Sequence, residues 1–315
     1  MTRRVAERII SIGGGKGGVG KSVVAANLAV AMAEEGREVV LVDADLGAAN
    51  QHTLFGVEKP GPTLQSFIDH EIESLEQARV LTKVPRLTLV RGASAVVGAA
   101  NISHTQKGRL LRHIEKLEAQ VVVVDVGAGT AFNQLDLFDL ADLKLVVLTP
   151  QLTSIQNAYA FVKGAVYRTV QAVLKQHGFE EVLASKAELA ETARLEVLLQ
   201  ATFDCSPKVE AEVRMALQGF KARLFGNQVQ DAAESTVFRA VARMLNDFLS
   251  ISAPFLGFAR ATRALHDSVN RRRPYLLDAR HDESALALRQ TARVLLDEPV
   301  AVPPTAQSAV ATAAA

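Results

Sequence analysis

The chain has 315 residues, of which 49% are hydrophobic and 22% are charged, and its formal net charge is +1. This composition is ordinary for a globular protein with a sizeable core, and the near-zero charge gives no overall field that would favour nucleic acid. The single cysteine, Cys205, excludes a disulfide framework and a CxxC metal or cluster site within the chain. Because we find no apolar leader and no apolar run of ~20 residues, we expect a cytoplasmic protein.

The first predicted strand and helix flank a glycine-rich segment. Residues 9–12 (Ile-Ile-Ser-Ile) predict a strand, and residues 23–32 predict a helix. Between them, Gly15 to Ser22 fits the phosphate-loop pattern G-x-x-x-x-G-K-[S/T]. Such a loop presents backbone N–H groups and the positive end of a helix dipole to phosphates. We expect Lys21 to contact the β- and γ-phosphates and the Ser22 hydroxyl to bind Mg²⁺.

Two acidic residues lie at the end of the second predicted strand, which covers residues 37–43. Asp43 and Asp45 are spaced i, i+2 at its carboxyl end, where an α/β sheet forms its ligand crevice. We expect Asp43 to lie at a bound Mg²⁺ and Asp45 to position or activate the attacking water. The alternative for both residues is that they only terminate the strand.

A third acid follows the most apolar strand, residues 121–125 (Val-Val-Val-Val-Asp). Four consecutive valines fit a strand that is buried on both sides. An acid after such a run is the Walker B arrangement, so we expect Asp125 to contact Mg²⁺ directly or through water. The residues that follow, Gly127 to Gly129, are suited to sensing a γ-phosphate through backbone N–H groups.

The remaining elements continue to alternate between strand and helix. This alternation predicts an α/β fold, with a mostly parallel, twisted sheet that is covered by helices on both faces. We expect a single domain over residues 1–297, with a helical insertion at 177–222, followed by a disordered Ala/Pro-rich tail at 298–315. The other predicted strands are 87–90, 145–149, 223–227 and 255–258, and the other helices are 103–118, 132–140, 154–176, 232–249, 260–271 and 283–297.

Residues 16–22 (Lys-Gly-Gly-Val-Gly-Lys-Ser) resemble the deviant Walker A motif, KGGxGK[S/T], of the MinD/ParA family of P-loop ATPases. Residues 43–50 and 125–129 resemble the two switch segments of that family, and residues 149–159 are similar to its MinD and FlhG (FleN) branch. The resemblance implies that Lys16 reaches the phosphates of a second copy across an ATP-sandwiched dimer. The residues then expected to bind ATP are Gly15, Lys16, Gly17, Gly18, Val19, Gly20, Lys21, Ser22, Val23, Gly129 and Asn227.

Asn227 stands at the position where members of this family read adenine. A side-chain amide there can accept from N6 and donate to N7, which implies a preference for ATP over GTP. The alternative is an ordinary turn residue. The catalytic set that the resemblance implies is Lys16, Lys21 and Asp45, and the metal set is Ser22, Asp43 and Asp125.

The resemblance implies a slow, Mg²⁺-dependent ATPase that cycles between a monomer and an ATP-dependent homodimer. Such an enzyme positions a cellular structure, such as a flagellum, the division site or polar machinery, and a protein partner stimulates it or is its cargo. The last predicted helix carries one apolar stripe, which favours docking onto the core over membrane attachment. Recruitment to a pole, the nucleoid or the inner membrane face would then depend on a partner.

Two alternatives remain open at this point. A ParA-type DNA-partition ATPase would need a basic surface, and one arginine cluster (Arg260, Arg263 and Arg271 to Arg273) could supply it. A non-hydrolysing, nucleotide-dependent scaffold is the second alternative. Iron–sulfur carriers of similar sequence need several cysteine ligands, and this chain has one.

Overall fold

Eight strands form one sheet in a computed structural model that describes residues 4–58, 60–92, 102–179, 206–279 and 281–299. The strands are β1 (Arg8–Gly13), β2 (Val39–Ala44), β3 (Arg79–Leu81), β4 (Leu87–Val90), β5 (Val121–Val126), β6 (Leu143–Leu148), β7 (Ala222–Val229) and β8 (Phe255–Arg260). Their order across the sheet is β3-β4-β2-β5-β1-β6-β7-β8. Every adjacent pair is parallel except β3 and β4, which are antiparallel. The α/β fold with a mostly parallel sheet is therefore confirmed.

Ten α-helices accompany the sheet in the described ranges. They are α1 (Lys21–Glu34), α2 (Gln51–Leu54), α3 (Leu64–Ile68), α4 (His104–Glu115), α5 (Phe132–Asp139), α6 (Leu152–Gln176), α7 (Pro207–Gln218), α8 (Thr236–Leu249), α9 (Arg263–Asn270) and α10 (Glu283–Asp297). Apolar residues of α1, α2, α9 and α10 pack on one face of the sheet, and those of α3 to α8 pack on the other. Because both faces are covered, the four central strands β1, β2, β5 and β6 are almost entirely buried.

The element bounds differ from the predicted ones mainly at helix starts. The predicted helix at 232–249 is a 3₁₀ turn (Ala232–Ser235) followed by α8, and the one at 260–271 begins only at Arg263 because Arg260 still belongs to β8. The side chain of Thr262 caps α9 by accepting from the backbone N–H of Leu265. Strand β3 was not predicted.

Part of the predicted insertion lies within the described residues. Helix α7 begins at Pro207, which stands at the first helical position after the N-cap residue Ser206. Its buried residues Val209, Val213 and Leu217 belong to the same apolar core as α6. Residues 180–205, which include Cys205, and 300–315 lie outside the described residues. The single domain, its insertion and the disordered tail stay predictions, although the side chain of Glu298 pairs with Arg223.

The last helix, α10, packs against α1. Its apolar stripe of Ala285, Leu288, Ala292 and Leu295 is buried, as predicted for a helix that docks on the core. Two ion pairs, Arg289 with Glu34 and Arg293 with Glu35, join the same two helices. The side chain of Asn27 in α1 also accepts a 2.8 Å hydrogen bond from the backbone N–H of Leu276. Across the described ranges, no helix has both the length and the apolarity that crossing a membrane requires.

Candidate functional site

The glycine-rich loop connects β1 to α1, and its shape depends on glycine at specific positions. Gly18 and Gly20 have φ values of 78° and 87°, in the left-handed region. Gly15 lies so close to α6 that a Cβ there would be 1.9 Å from the backbone oxygen of Asn157. Helix α1 begins with Gly20 as its N-cap residue and has no side-chain cap. Its first N–H groups are thus left for an anion.

The two lysines of the loop have different surroundings. The Lys21 side chain is buried, and its Nζ donates a 3.2 Å hydrogen bond to the backbone oxygen of Lys16. Burial lowers the pKa of Lys21, and the charges of Asp125 and Asp45 oppose that change. Lys16 is partly exposed, and its Nζ donates to Thr153 Oγ1 at 2.9 Å, at the start of α6. In this structure, the lysine that was predicted to cross a dimer therefore contacts its own chain.

Asp43 and Asp125 lie side by side at the carboxyl ends of two neighbouring strands. They are paired in register on the adjacent strands β2 and β5, and both are buried. Burial, reinforced by the charge of Asp125, raises the pKa of Asp43 to about 8. Burial also raises the pKa of Asp125 to about 6, although hydrogen bonds from Gln51 and Ser22 oppose the rise. Two acids held together in this way make a neighbouring cation favourable.

One carboxylate oxygen of each acid is available to bind such a cation. Asp43 Oδ1 and Asp125 Oδ1 are buried and have no hydrogen-bond partner within the part of the chain that is described. No cluster of three or more His, Cys, Asp or Glu ligands exists in these same ranges. A cation here would therefore combine carboxylates, the Ser22 hydroxyl and oxygens of a bound phosphate. That ligand set suits Mg²⁺, which binds through one or two carboxylates together with substrate phosphates and water.

Asp45 brings the two predicted switch segments together. Its Oδ1 accepts hydrogen bonds from the backbone N–H groups of Gly47 at 3.1 Å and Ala48 at 3.0 Å. The same oxygen lies 2.9 Å from the place that a Cβ on Gly127 would occupy. Gly129 has a φ of 113° and open space around it. A larger residue at position 127 would push Asp45 away from the second switch.

A cavity of about 700 Å³ opens beside the loop, at Gly20 and Val23. Asn227, Thr262 and Leu265 are among its lining residues. Asn227 is buried, and its Nδ2 donates to the backbone oxygen of Val19 at 2.8 Å, while its Oδ1 is buried without a partner in the described residues. An amide nitrogen carries two N–H donors, and the bond to Val19 uses one of them, so donation to adenine N7 stays a prediction. The oxygen remains as an acceptor, which complements the N6 amino group of adenine.

Sequence reasoning missed two glutamines at this site. Gln228 follows Asn227 at a register shift between β7 and β8, has a φ of 56°, and donates from Nε2 to the backbone oxygen of Gly18 at 2.9 Å. Gln51 is completely buried, and its Nε2 donates to Ser22 O at 2.9 Å and to Asp125 Oδ2 at 2.8 Å. Neither residue belongs to a motif, and no signal in the sequence could have identified them.

The arginine cluster is largely neutralised by nearby acids. Each of its five members has a carboxylate oxygen within 4.0 Å, and the two arginines at 271 and 273 share Asp278. Arg272, for example, lies 2.6 Å from Glu58, which is far away in the sequence. These exposed pairs contribute little stability, but they reduce the positive field that a phosphate backbone would meet.

A family model described as ParA, NUBPL iron-transfer P-loop NTPase, matches residues 5–172, which is more than half of the chain. The chain is 36% identical over 159 residues to the antiactivator FleN of Pseudomonas aeruginosa, covering 50% of this chain and 55% of FleN. It is 32% identical over 161 residues to the flagellum site-determining protein YlxH of Helicobacter pylori, covering 50% and 53%. The chain thus spans about half the length of the curated relatives that it matches.

The fold is similar to that of a solved structure, the septum site-determining protein MinD of Pyrococcus horikoshii OT3 in complex with Mg-ADP. The TM-score is 0.64 and the identity is 19%, over 92% of this chain and 96% of that one. At this identity the likeness concerns the arrangement of strands and helices.

Proposed function

The chain belongs to the ParA family of P-loop NTPases, and we propose that it hydrolyses ATP with Mg²⁺ in order to position a cellular structure. The observation that carries this proposal is a pair of buried carboxylate oxygens, on Asp43 and Asp125, that have no partner in the described ranges and lie close to the loop that ends in Ser22. A cation would stabilise the charged form of such an acid pair, and the adjacent N-terminus of α1 favours an anion. Mg²⁺ with a nucleotide triphosphate supplies both.

We assign the nucleotide contacts by the same logic. The backbone from Gly15 to Val23 would hold the phosphate chain, with Lys21 at the β- and γ-phosphates. Ser22, Asp43 and Asp125 would hold Mg²⁺, which supplies charge neutralisation at the phosphates when it is bound. Asn227 Oδ1 would accept from adenine N6, and Gly129 would contact the γ-phosphate through its backbone N–H.

Hydrolysis in this proposal depends on three side chains. Asp45 would orient the attacking water through a hydrogen bond, since it lies at the junction of the two switch segments. Lys21 and Lys16 would neutralise the charge that develops on the γ-phosphate oxygens. For Lys16 to act in a second copy of the chain, it must first leave Thr153. We propose that ATP favours this exchange and thereby the homodimer.

The names of the relatives guide the choice of cellular structure. FleN is an antiactivator and YlxH determines a flagellum site, so control of flagellar number or placement is our first choice. Placement of the division site or of polar machinery would use the same cycle. We propose a cytoplasmic protein that a partner recruits to a pole, the nucleoid or the inner membrane face and stimulates there. DNA partition is less favoured because the arginine cluster is paired with carboxylates.

The proposal is tested first on purified protein. Calorimetry should detect binding of ATP with Mg²⁺ to the wild type. Lys21→Ala should abolish this binding, whereas Lys208→Ala, on α7, should leave it unchanged. Lys16→Ala should bind ATP but give no ATP-dependent dimer in size-exclusion chromatography with light scattering. A wild type that ignores adenine nucleotides would contradict the function, and a normal dimer of Lys16→Ala would contradict the role of that lysine.

The cellular role needs a second experiment. A fluorescent fusion should be imaged in the wild type and as Asp45→Ala, which should accumulate in the ATP-bound state. Enrichment at one pole together with a changed number of flagella would support the first choice. A midcell pattern would favour the division site, a nucleoid pattern would favour DNA partition, and an unchanged diffuse pattern would contradict positioning altogether.

A further inference from the structure

Gln51, the first residue of α2, connects the three groups that were assigned to the metal. Its side-chain nitrogen donates to the backbone oxygen of Ser22 at 2.9 Å and to Asp125 Oδ2 at 2.8 Å. Its backbone N–H donates to Asp43 Oδ2 at 2.9 Å. One buried residue thus contacts the end of the phosphate loop and both acids, which lie on three separate segments of the chain.

These bonds occupy one oxygen of each acid and leave the other. Asp43 Oδ1, Asp125 Oδ1 and Gln51 Oε1 are all buried, and none of them has a hydrogen-bond partner among the residues that the structure describes. The three unpartnered atoms are all hard oxygens, which a hydrated divalent cation prefers. Because Oδ2 of each acid is held by Gln51, Oδ1 of each acid is the oxygen that remains for a cation or for its water.

Gln51 also stands next to a segment that is expected to move. Helix α2 begins immediately after residues 43–50, which resemble the first switch, and its N-cap residue Asn50 makes no side-chain capping bond. The side-chain amide of Gln51 therefore joins the start of α2 to β5 and to the loop. A displacement of the first switch would reach the Asp125 carboxylate through this amide.

We infer that Gln51 is a positioning residue for Mg²⁺, which selects the carboxylate oxygens that face the cation and couples them to the first switch. This inference rests on the proposed nucleotide site and deepens it. Groups that hold a metal ligand in place typically change metal affinity by ~10–100-fold when they are removed. Gln51 acts through Asp125 and Ser22, so its removal should weaken the effect of Mg²⁺ and leave the contacts of the loop with the phosphates intact.

The test separates the metal from the nucleotide. A fluorescent ATP analogue is titrated into wild type, Gln51→Met and the control Gln65→Met, first in EDTA and then at increasing Mg²⁺. Gln65 is a suitable control because it lies on α3, outside the assigned metal and phosphate groups, and its amide nitrogen donates to the carboxylate of Asp69, the C-cap residue of that helix. We expect Gln51→Met to bind the analogue in EDTA within about twofold of wild type and to need ~10–100-fold more Mg²⁺ for half-maximal enhancement. Gln65→Met should match wild type in both.

Two results would overturn the inference. The first is a half-maximal Mg²⁺ concentration for Gln51→Met within about threefold of that for wild type. The second is a loss of affinity of Gln51→Met for the ATP analogue that is equal in EDTA and in Mg²⁺, which would indicate a purely structural role. If the melting curve shows that Gln51→Met does not fold, Gln51→Asn is used instead. Its shorter amide cannot reach both Ser22 O and Asp125 Oδ2, so it should also raise the Mg²⁺ concentration that is required. A wild type without nucleotide binding would refute the proposed function and this inference with it.

Discussion

Gly20 offers a sharp test of the contact between the phosphate loop and the base cavity. Its φ is 87°, and a Cβ at this position would lie 2.2 Å from Asn227 Nδ2. Gly36, after the other end of α1, has nearly the same φ of 83° but no atom within 4 Å of such a Cβ. The variants Gly20→Ala and Gly36→Ala therefore share the same backbone penalty and differ in the clash with Asn227.

The expected magnitudes follow from these surroundings. Gly36→Ala should lose ~1–2 kcal/mol of unfolding free energy, which is the ordinary penalty for an L residue in the left-handed region. Gly20→Ala should lose a further ~1–3 kcal/mol, because Asn227 must leave Val19 O and its buried amide then lacks an acceptor. If restoring the displaced loop upon ATP binding costs ~1.4 kcal/mol, ATP affinity falls by roughly tenfold, which is the loss we expect for Gly20→Ala.

Urea unfolding and ATP calorimetry on both variants give the measurement. The variant Asn227→Ala supplies an internal control, because it removes the side chain that Gly20→Ala would clash with. In the Asn227→Ala background, Gly20→Ala should lower the unfolding free energy only by about as much as Gly36→Ala lowers it in the wild type. If Gly20→Ala and Gly36→Ala were equally stable and bound ATP equally well, the close approach of Asn227 to the loop would be refuted.

Three further predictions concern the acids and the last helix. Asp45→Ala should keep ATP affinity within about threefold but lower turnover by ~100-fold or more, as expected when a group that orients the attacking water is lost, and a phosphate-release assay compares it with wild type. Asp43→Asn should flatten the pH dependence of stability, because the pKa of Asp43 is raised from 3.8 to about 8 in the folded state. The stability that the protonated carboxyl contributes at low pH is lost as the pH rises to 8, so urea titrations between pH 4 and 8 should show a smaller slope for the variant than for wild type. Leu288→Ala, in the contact with α1, should cost ~2–5 kcal/mol in the same titration, and Leu286→Ala, on the 55% exposed side chain, should cost almost nothing. Equal losses in the two leucine variants would contradict the docking of α10.

The central part of the fold was predictable because local pattern and final environment agree there. The valines of β5 are buried on both sides, as a continuous apolar run predicts. The loop from Gly15 to Ser22 was recognisable because its glycines are required by close contacts and left-handed φ values. Strand β3 was missed because it has three residues on the sheet edge, and its last one, Leu81, is 84% exposed. Such a strand has no alternation to detect.

The unpredicted parts of the site depend on partners that are distant in the sequence. Gln51 lies 74 residues from Asp125, and Gln228 lies 210 residues from Gly18. Only the assembled sheet brings these amides to the loop and the acid, and an amide carries no charge pattern that would mark it. The arginine cluster is the opposite case, because its like charges are visible in the sequence while two of its carboxylate partners, Glu58 and Glu283, lie elsewhere in the chain.

The junction between α1 and α10 has a practical consequence for experiments on this protein. The helix that begins at Lys21 is held in place by residues about 250 positions later in the chain, through Asn27 and the two arginine–glutamate pairs. A chain that ends before Leu276 would lose all of these contacts and would expose apolar side chains of α1. A change of nucleotide affinity in such a truncation would therefore not show that a partner-binding surface has been removed. Labels and tags are better attached after Pro299, where the described fold is left whole.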